Sequence, residues 1–152
     1  MAPAISLDHT LPPVVPESKE TPAAFAPTND LFSLAGRTVA ITGGGRGLGM
    51  TLTTAVLEAG GDVACMDLLP EPSAEEWIAV QKLAKSKGLQ ATYNKCDVTD
   101  EEATEILLEK IAADGKARNM PLRGLITCAG IQQMVPALDY PVDGYRKMLD
   151  VK

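Results

Sequence analysis

Five glycines in seven residues carry the first chemical signal, in the stretch Thr42-Gly43-Gly44-Gly45-Arg46-Gly47-Leu48-Gly49. Side chains in such a turn would hold a ligand off, and glycine both removes them and permits positive φ. The preceding run, Val39 to Thr42, is short, apolar and β-branched, and reads as a buried strand. After the turn, Leu48, Leu52, Ala55, Val56 and Ala59 recur at helical spacing and are expected to share one apolar face. Strand, glycine turn and helix together lay a pyrophosphate against a helix N-terminus, where free N–H groups and the macrodipole favour an anion. No register matches the common G-x-G-x-x-G fingerprint. Taken alone, the turn leaves a second reading open: a glycine-rich loop that binds nothing.

Three further charged side chains stand where such a ligand would need them. Asp67 closes Asp62-Val63-Ala64-Cys65-Met66-Asp67, a second expected strand, eighteen positions after Gly49. An acidic residue there accepts hydrogen bonds from the adenosine ribose hydroxyls of NAD and repels the 2′-phosphate of NADP. An ordinary solvated aspartate is the alternative. Arg46 pulls the other way, since a cation just before Gly47 can pair with a 2′-phosphate; it reads equally as a solvent-facing arginine. NAD is the expected cofactor, with NADP second, because a carboxylate facing a phosphate dianion is the worse mismatch. Asp97, with Val98 after it, ends a third strand. Its local alternative is to help the chain enter a helix capped by Thr99.

These residues act together only if the elements between them bring them to one edge. Gly60-Gly61 stops the first helix. Ser73-Ala74-Glu75-Glu76 has capping-box spacing and predicts a helix from about Ala74 to Ser86, capped by Ser73 and ended by Gly88. Leu89 to Cys96 is the third strand. Thr99-Asp100-Glu101-Glu102 is a second capping box; its helix is expected to place Ala103, Ile106, Leu107, Lys110 and Ile111 on one face and to end near Asp114-Gly115. Leu122 to Cys128 is a fourth strand with Leu125 and Ile126 at its centre, and Asp139 to Val151 a last helix entered through Pro141. The alternation of strand and helix implies right-handed parallel crossovers. The expected fold is therefore α/β, a doubly wound parallel sheet (Rossmann-like), truncated after about four strands. It places the glycine turn, Asp67, Asp97 and the segment after Cys128 at the carboxyl edge of one sheet, where dinucleotides bind.

Composition narrows the classes. A chain of 152 residues with 45% hydrophobic content suits one folded domain. A net charge of −6 argues against a nucleic-acid partner, and no apolar run approaches the length of a bilayer crossing. Cys65, Cys96 and Cys128 are an odd set in apolar segments, which reads as free thiols of a reducing compartment. The only histidine is His9, which argues against a histidine metal site or a Ser-His-Asp triad. Residues 1–30 hold six of the eleven prolines and no apolar periodicity, and are expected to form a disordered arm. The arm has neither a secretory h-region nor an Arg-rich transit composition, so a cytoplasmic location is expected. Residues 31–152 are the expected partial dinucleotide-binding domain, with Leu31-Phe32-Ser33-Leu34 tacked onto it.

The pattern Thr42-Gly43-x-x-x-Gly47-x-Gly49 resembles the cofactor loop of the short-chain dehydrogenase/reductase family. Asp97-Val98 is similar to the family's adenine-contacting pair. Cys128-Ala129-Gly130-Ile131 is similar to its Asn-Asn-Ala-Gly segment, with Thr127 and Cys128 standing for the two asparagines. The resemblance runs from about Leu31 to the end. It implies cofactor contacts from Thr42, Gly43, Gly45, Arg46, Gly47, Leu48, Gly49, Asp67, Asp97, Val98, Cys128, Ala129 and Gly130. It also implies NAD(P)-dependent hydride transfer between nicotinamide and an alcohol or carbonyl carbon. General similarity, including the Pro-rich arm, is to fungal polyol and ketose reductases.

Members of that family use a tyrosine as general acid or base, with a lysine four residues later, a serine and a helix asparagine. A phenol near pKa 10 is a poor base unless a cation stabilises its phenolate. Here Tyr93, Tyr140 and Tyr145 are followed four positions on by Asp97, Gly144 and Leu149, so all three read as packing residues. Lys152 follows Asp150-Val151, where the family's asparagine would stand. No catalytic residue and no metal ligand is assigned. The chain is expected to be a cofactor-binding half with little or no turnover alone. It would expose the edge of its fourth strand and the apolar face of its last helix. A homo-oligomer, or association with a full-length homologue, would cover them. The alternative is a non-catalytic nucleotide-binding or interaction module, or an inactive fragment.

Overall fold

A computed structural model describes residues 31–151; the expected arm, residues 1–30, and Lys152 lie outside them. Four parallel strands form one sheet in the order β3-β2-β1-β4, where β1 is Thr38–Thr42, β2 Asp62–Asp67, β3 Ala91–Lys95 and β4 Leu122–Thr127. Helices α1 (Gly47–Glu58), α2 (Ala74–Ser86) and α3 (Glu101–Ala117) make the crossovers. A helix α4 (Val142–Asp150) follows β4 after a 3-10 turn at Ala137–Asp139. This is the doubly wound α/β architecture expected from the sequence. The apolar runs of β1 and β2 are explained by their central position, covered on both faces. On one face Val39, Ile41, Val63 and Cys65 pack beneath Met50, Val56 and Leu57 of α1 and Val80 and Ala84 of α2. On the other, Ala40, Ala64 and Met66 meet Leu107, Leu108 and Ile111 of α3. Ile41, Leu57 and Met66 are fully buried, each worth about 1.5–3 kcal/mol over exposure.

Several faces and boundaries differ from expectation, each for a physical reason. Helix α1 buries Gly49, Met50, Thr53, Val56 and Leu57, while Leu48 is 66% exposed and Ala55 faces solvent. Its contact stripe is built on small residues: Gly49 sits against the Gly43 carbonyl, and the Thr53 hydroxyl donates to the Gly49 carbonyl at 2.9 Å beside Cys65 Sγ. That rotation turns Leu48 to the carboxyl edge of the sheet. Helix α3 likewise turns Leu107, Leu108, Ile111 and Gly115 inward, leaves Ala103 and Ile106 exposed, and runs on to Ala117. Gly115 does not stop it, because that glycine is a close contact: a Cβ there would lie 2.5 Å from the Met120 carbonyl.

The caps also move. Ser73 holds the N-cap position of α2, but its side chain makes no capping bond. Thr99 is not the cap of α3; Asp100 is, accepting the Ala103 N–H at 3.0 Å. The last helix starts at Val142 because Tyr140, preceding Pro141, is held extended, as the residue before a proline usually is. β4 is one of the two edge strands among the described residues, so Leu125, inside the strand as expected, is 50% exposed. Of the expected tack, only Leu34 packs, its N–H on the Ala59 carbonyl at 2.8 Å; Leu31 and Phe32 face solvent. Among the described residues no helix is long and apolar enough to cross a membrane, and the three cysteines are free.

Candidate functional site

The glycine turn sits at the carboxyl end of β1, with Gly43 (φ 68°) and Gly47 (φ 57°) in the left-handed region that disfavours other residues. Gly43 also permits a close approach, since a Cβ there would come within 2.8 Å of the Ala129 backbone. Arg46 is the N-cap of α1 and is extended, with no side-chain capping bond. Helices α2, α3 and α4 carry Glu75 and Glu76, Glu101 and Glu102, and Asp143 in their first turns, whereas α1 carries no acidic residue there. The N–H groups that open α1 are thus left without an anion from the chain itself, and a diphosphate fits that cradle.

A cavity of about 420 Å³ opens over this turn. The strand order reverses between β1 and β4, the crevice where a doubly wound sheet takes its ligand. Of the residues singled out from sequence, Gly43, Arg46, Gly47, Leu48, Gly49, Asp67, Asp97, Val98, Cys128, Ala129 and Gly130 line it. Thr42 and Gly45 stand behind the wall. The Thr42 hydroxyl accepts the N–H groups of Cys128 and Ala129 at 3.2 and 3.1 Å, tying β1 to the end of β4. Gly45 donates its N–H to Asp67 Oδ2 at 2.8 Å. Leu68, Leu69, Cys96, Ile131 and Val151 also line the cavity and were not foreseen. Their signal was present for three of them, since Leu68, Cys96 and Ile131 each adjoin a residue already chosen. An adjoining cavity of about 580 Å³ continues past Leu68, Asp97 and Ile131 to Lys147 and Met148 of α4.

The carboxylates are fixed rather than free. Asp67 accepts the Gly45 N–H on one oxygen and the Leu69 N–H, at 3.1 Å, on the other. Asp97 accepts both the N–H and the hydroxyl of Thr99, at 3.0 and 2.7 Å, which holds its carboxyl below the usual range, with Lys147 adding to the effect. Asp97 therefore leads the chain into α3 and lines the cavity at once. Burial pushes the Cys65 thiol up to about 11 beneath the turn, whereas Cys128 is half-buried at the cavity wall. Arg46 is exposed and makes no ion pair among the described residues. Tyr93 packs edge-on to Trp77, in keeping with a packing role. A polar hollow of about 410 Å³ between β2, β3 and α3 lies away from the turn, and its Asp62 and Arg118 are paired with each other at 3.0 Å.

Comparison with known proteins gives the same picture. Residues 37–152 match the short chain dehydrogenase family. A short-chain dehydrogenase/reductase notP′ of Aspergillus versicolor is 42% identical over 123 residues, 81% of this chain and 41% of that protein. The 5-keto-D-gluconate 5-reductase of Escherichia coli K12 is 32% identical over 81% of this chain and 45% of its own length. The solved NADPH-dependent 3-quinuclidinone reductase of Rhodotorula rubra superposes with a TM-score of 0.65 at 33% identity, over 90% of this chain and 49% of that one. The chain spans less than half the length of the curated relatives it matches. Glycine turn, strand order and matched length agree that this chain belongs to the short-chain dehydrogenase/reductase family.

Proposed function

We propose that the described domain is the NAD(H)-binding part of an oxidoreductase that moves hydride between nicotinamide and an alcohol or carbonyl carbon. The uncapped start of α1 beside the fixed Asp67 carboxylate carries this reading. The amides after Arg46 hold the diphosphate, Asp67 faces the adenosine ribose, Asp97 and Val98 flank the adenine, and Ala129 and Gly130 allow the nicotinamide half to approach. Bound, the nicotinamide supplies or accepts the hydride. Asp67 favours NAD over NADP. Arg46 and the NADPH-dependent neighbour pull the other way, but Asp67 is anchored by two backbone N–H groups and a 2′-phosphate would have to displace it. A polyol or ketose is the proposed substrate class, supported by the keto-sugar-acid name of the bacterial relative.

No tyrosine in the 152 residues is followed four positions on by lysine. We therefore expect nucleotide binding with little or no turnover from this chain by itself. A second reading, a non-catalytic module that pairs with another copy or a longer homologue, draws on the apolar surface of Met134, Leu138, Val142 and Tyr145. The test is a titration of the purified chain with NADH, read by nicotinamide fluorescence and by quenching of Trp77, its only tryptophan. Saturable signals are expected, with tighter binding of NADH than NADPH. A folded chain that gives no signal overturns the binding assignment, and robust reduction of NAD with a polyol overturns the inactivity.

A further inference from the structure

We infer that the Tyr93 hydroxyl is a positioning group for the adenosine end of the site, acting through Leu69 to hold the Asp67 carboxylate against the Gly45 amide. The inference rests on the proposed NAD(H) site.

Tyr93 lies on β3 opposite Cys65 of β2, and its ring meets Trp77 of α2 edge-on, centroids 5.8 Å apart. Its O–H donates to the Leu69 carbonyl at 2.9 Å. The Leu69 N–H donates to Asp67 Oδ1 at 3.1 Å, and Asp67 Oδ2 accepts the Gly45 N–H at 2.8 Å. The Gly45 carbonyl in turn accepts the Ser73 N–H at 2.8 Å. The segment after β2 is thereby stitched to the glycine turn on both sides of the carboxylate. There is no slack in the arrangement: a Cβ on Gly45 would lie 2.8 Å from Asp67 Oδ2 and 3.1 Å from the Tyr93 oxygen. Burial, with the Asp67 charge second, raises Tyr93 to about 12, so the phenol remains a donor through the neutral range. A phenylalanine would keep the contact with Trp77 and lose only the bond to Leu69. Packing alone therefore does not explain the hydroxyl, whereas control of where Asp67 points does.

Tyr93→Phe separates the two roles. Without nucleotide, amide hydrogen exchange at Gly45 and Leu69 is expected to quicken about five- to tenfold, the loss of one ordinary hydrogen bond, with Ala40 in β1 unchanged. In titrations, Tyr93→Phe is expected to weaken NADH about fivefold and to narrow its preference over NADPH. In an Asp67→Asn background the same change should add nothing to that preference, since the two act as one unit. Unchanged exchange at Gly45, an unchanged NADH-to-NADPH ratio, or an equal loss added on top of Asp67→Asn overturns the inference. A wild-type chain that binds no NADH overturns the cofactor reading and the ribose role with it; the exchange measurement separates that failure from absence of the Tyr93 contact.

Discussion

Cys65 is a small apolar side chain in all but its proton. It lies under the glycine turn, and its thiol is raised from 9.0 to about 11 by burial, with Asp67 adding a smaller push the same way. The folded state therefore holds the proton more tightly than the unfolded chain. That contribution is complete below pH 9.0 and is lost as pH rises towards 11. Two pK units correspond to about 2–3 kcal/mol, so urea midpoints should fall steeply over this range, and Cys65→Ala should flatten the slope. Tyr93 titrates in the same direction and steepens it. Asp97 acts at the other end of the scale: its carboxyl is depressed by Thr99, so its contribution is present above the ordinary value of 3.8 and disappears as pH falls through its lower folded value. Acid unfolding of Asp97→Asn followed by circular dichroism should lack that component. The identities of these residues were legible in the sequence. Their states were not, because burial and the Thr99 contacts come from chain segments folding onto one another.

At the scale of elements, the two expected capping boxes have different fates, and this gives a paired test. Asp100→Ala removes the side-chain bond to Ala103 and should cost about 1 kcal/mol. Ser73→Ala should cost much less, because Ser73 serves the fold through its backbone N–H on Gly45 and not through its hydroxyl. Chemical denaturation of both variants checks the contrast. Every strand and crossover helix could be foreseen from apolar runs broken by glycine and proline. The faces were harder to see. In α1 the hydrophobic count favours Leu48, but close packing favours Gly49 and Thr53, whose small size lets the helix settle on the strands. Likewise Asp97 takes Thr99 as its own partner and leaves Asp100 to cap; local spacing does not decide between two such neighbours.

Across the whole molecule, the sheet order brings to one crevice side chains from segments as far apart as Gly43 and Val151. A ligand seated there touches the ends of all the strands, so it should stabilise the domain as a unit. NADH at a hundred times its Kd should add about 2.7 kcal/mol and raise Tm by about 8–11 °C, measurable by differential scanning fluorimetry. The convergence of motifs at the carboxyl edge was visible from strand–helix alternation alone. The clasp of Thr42 on Cys128 and Ala129 was not, since it depends on β1 and β4 lying side by side although Cys128 is 86 positions along the chain from Thr42. That clasp has a kinetic corollary. With both lips of the crevice pinned to one hydroxyl, the jaw is set before any guest arrives. Stopped-flow mixing with NADH should then give a single phase whose rate climbs linearly with concentration, and Thr42→Val, which cuts the pin, should introduce a plateau set by the jaw's own breathing.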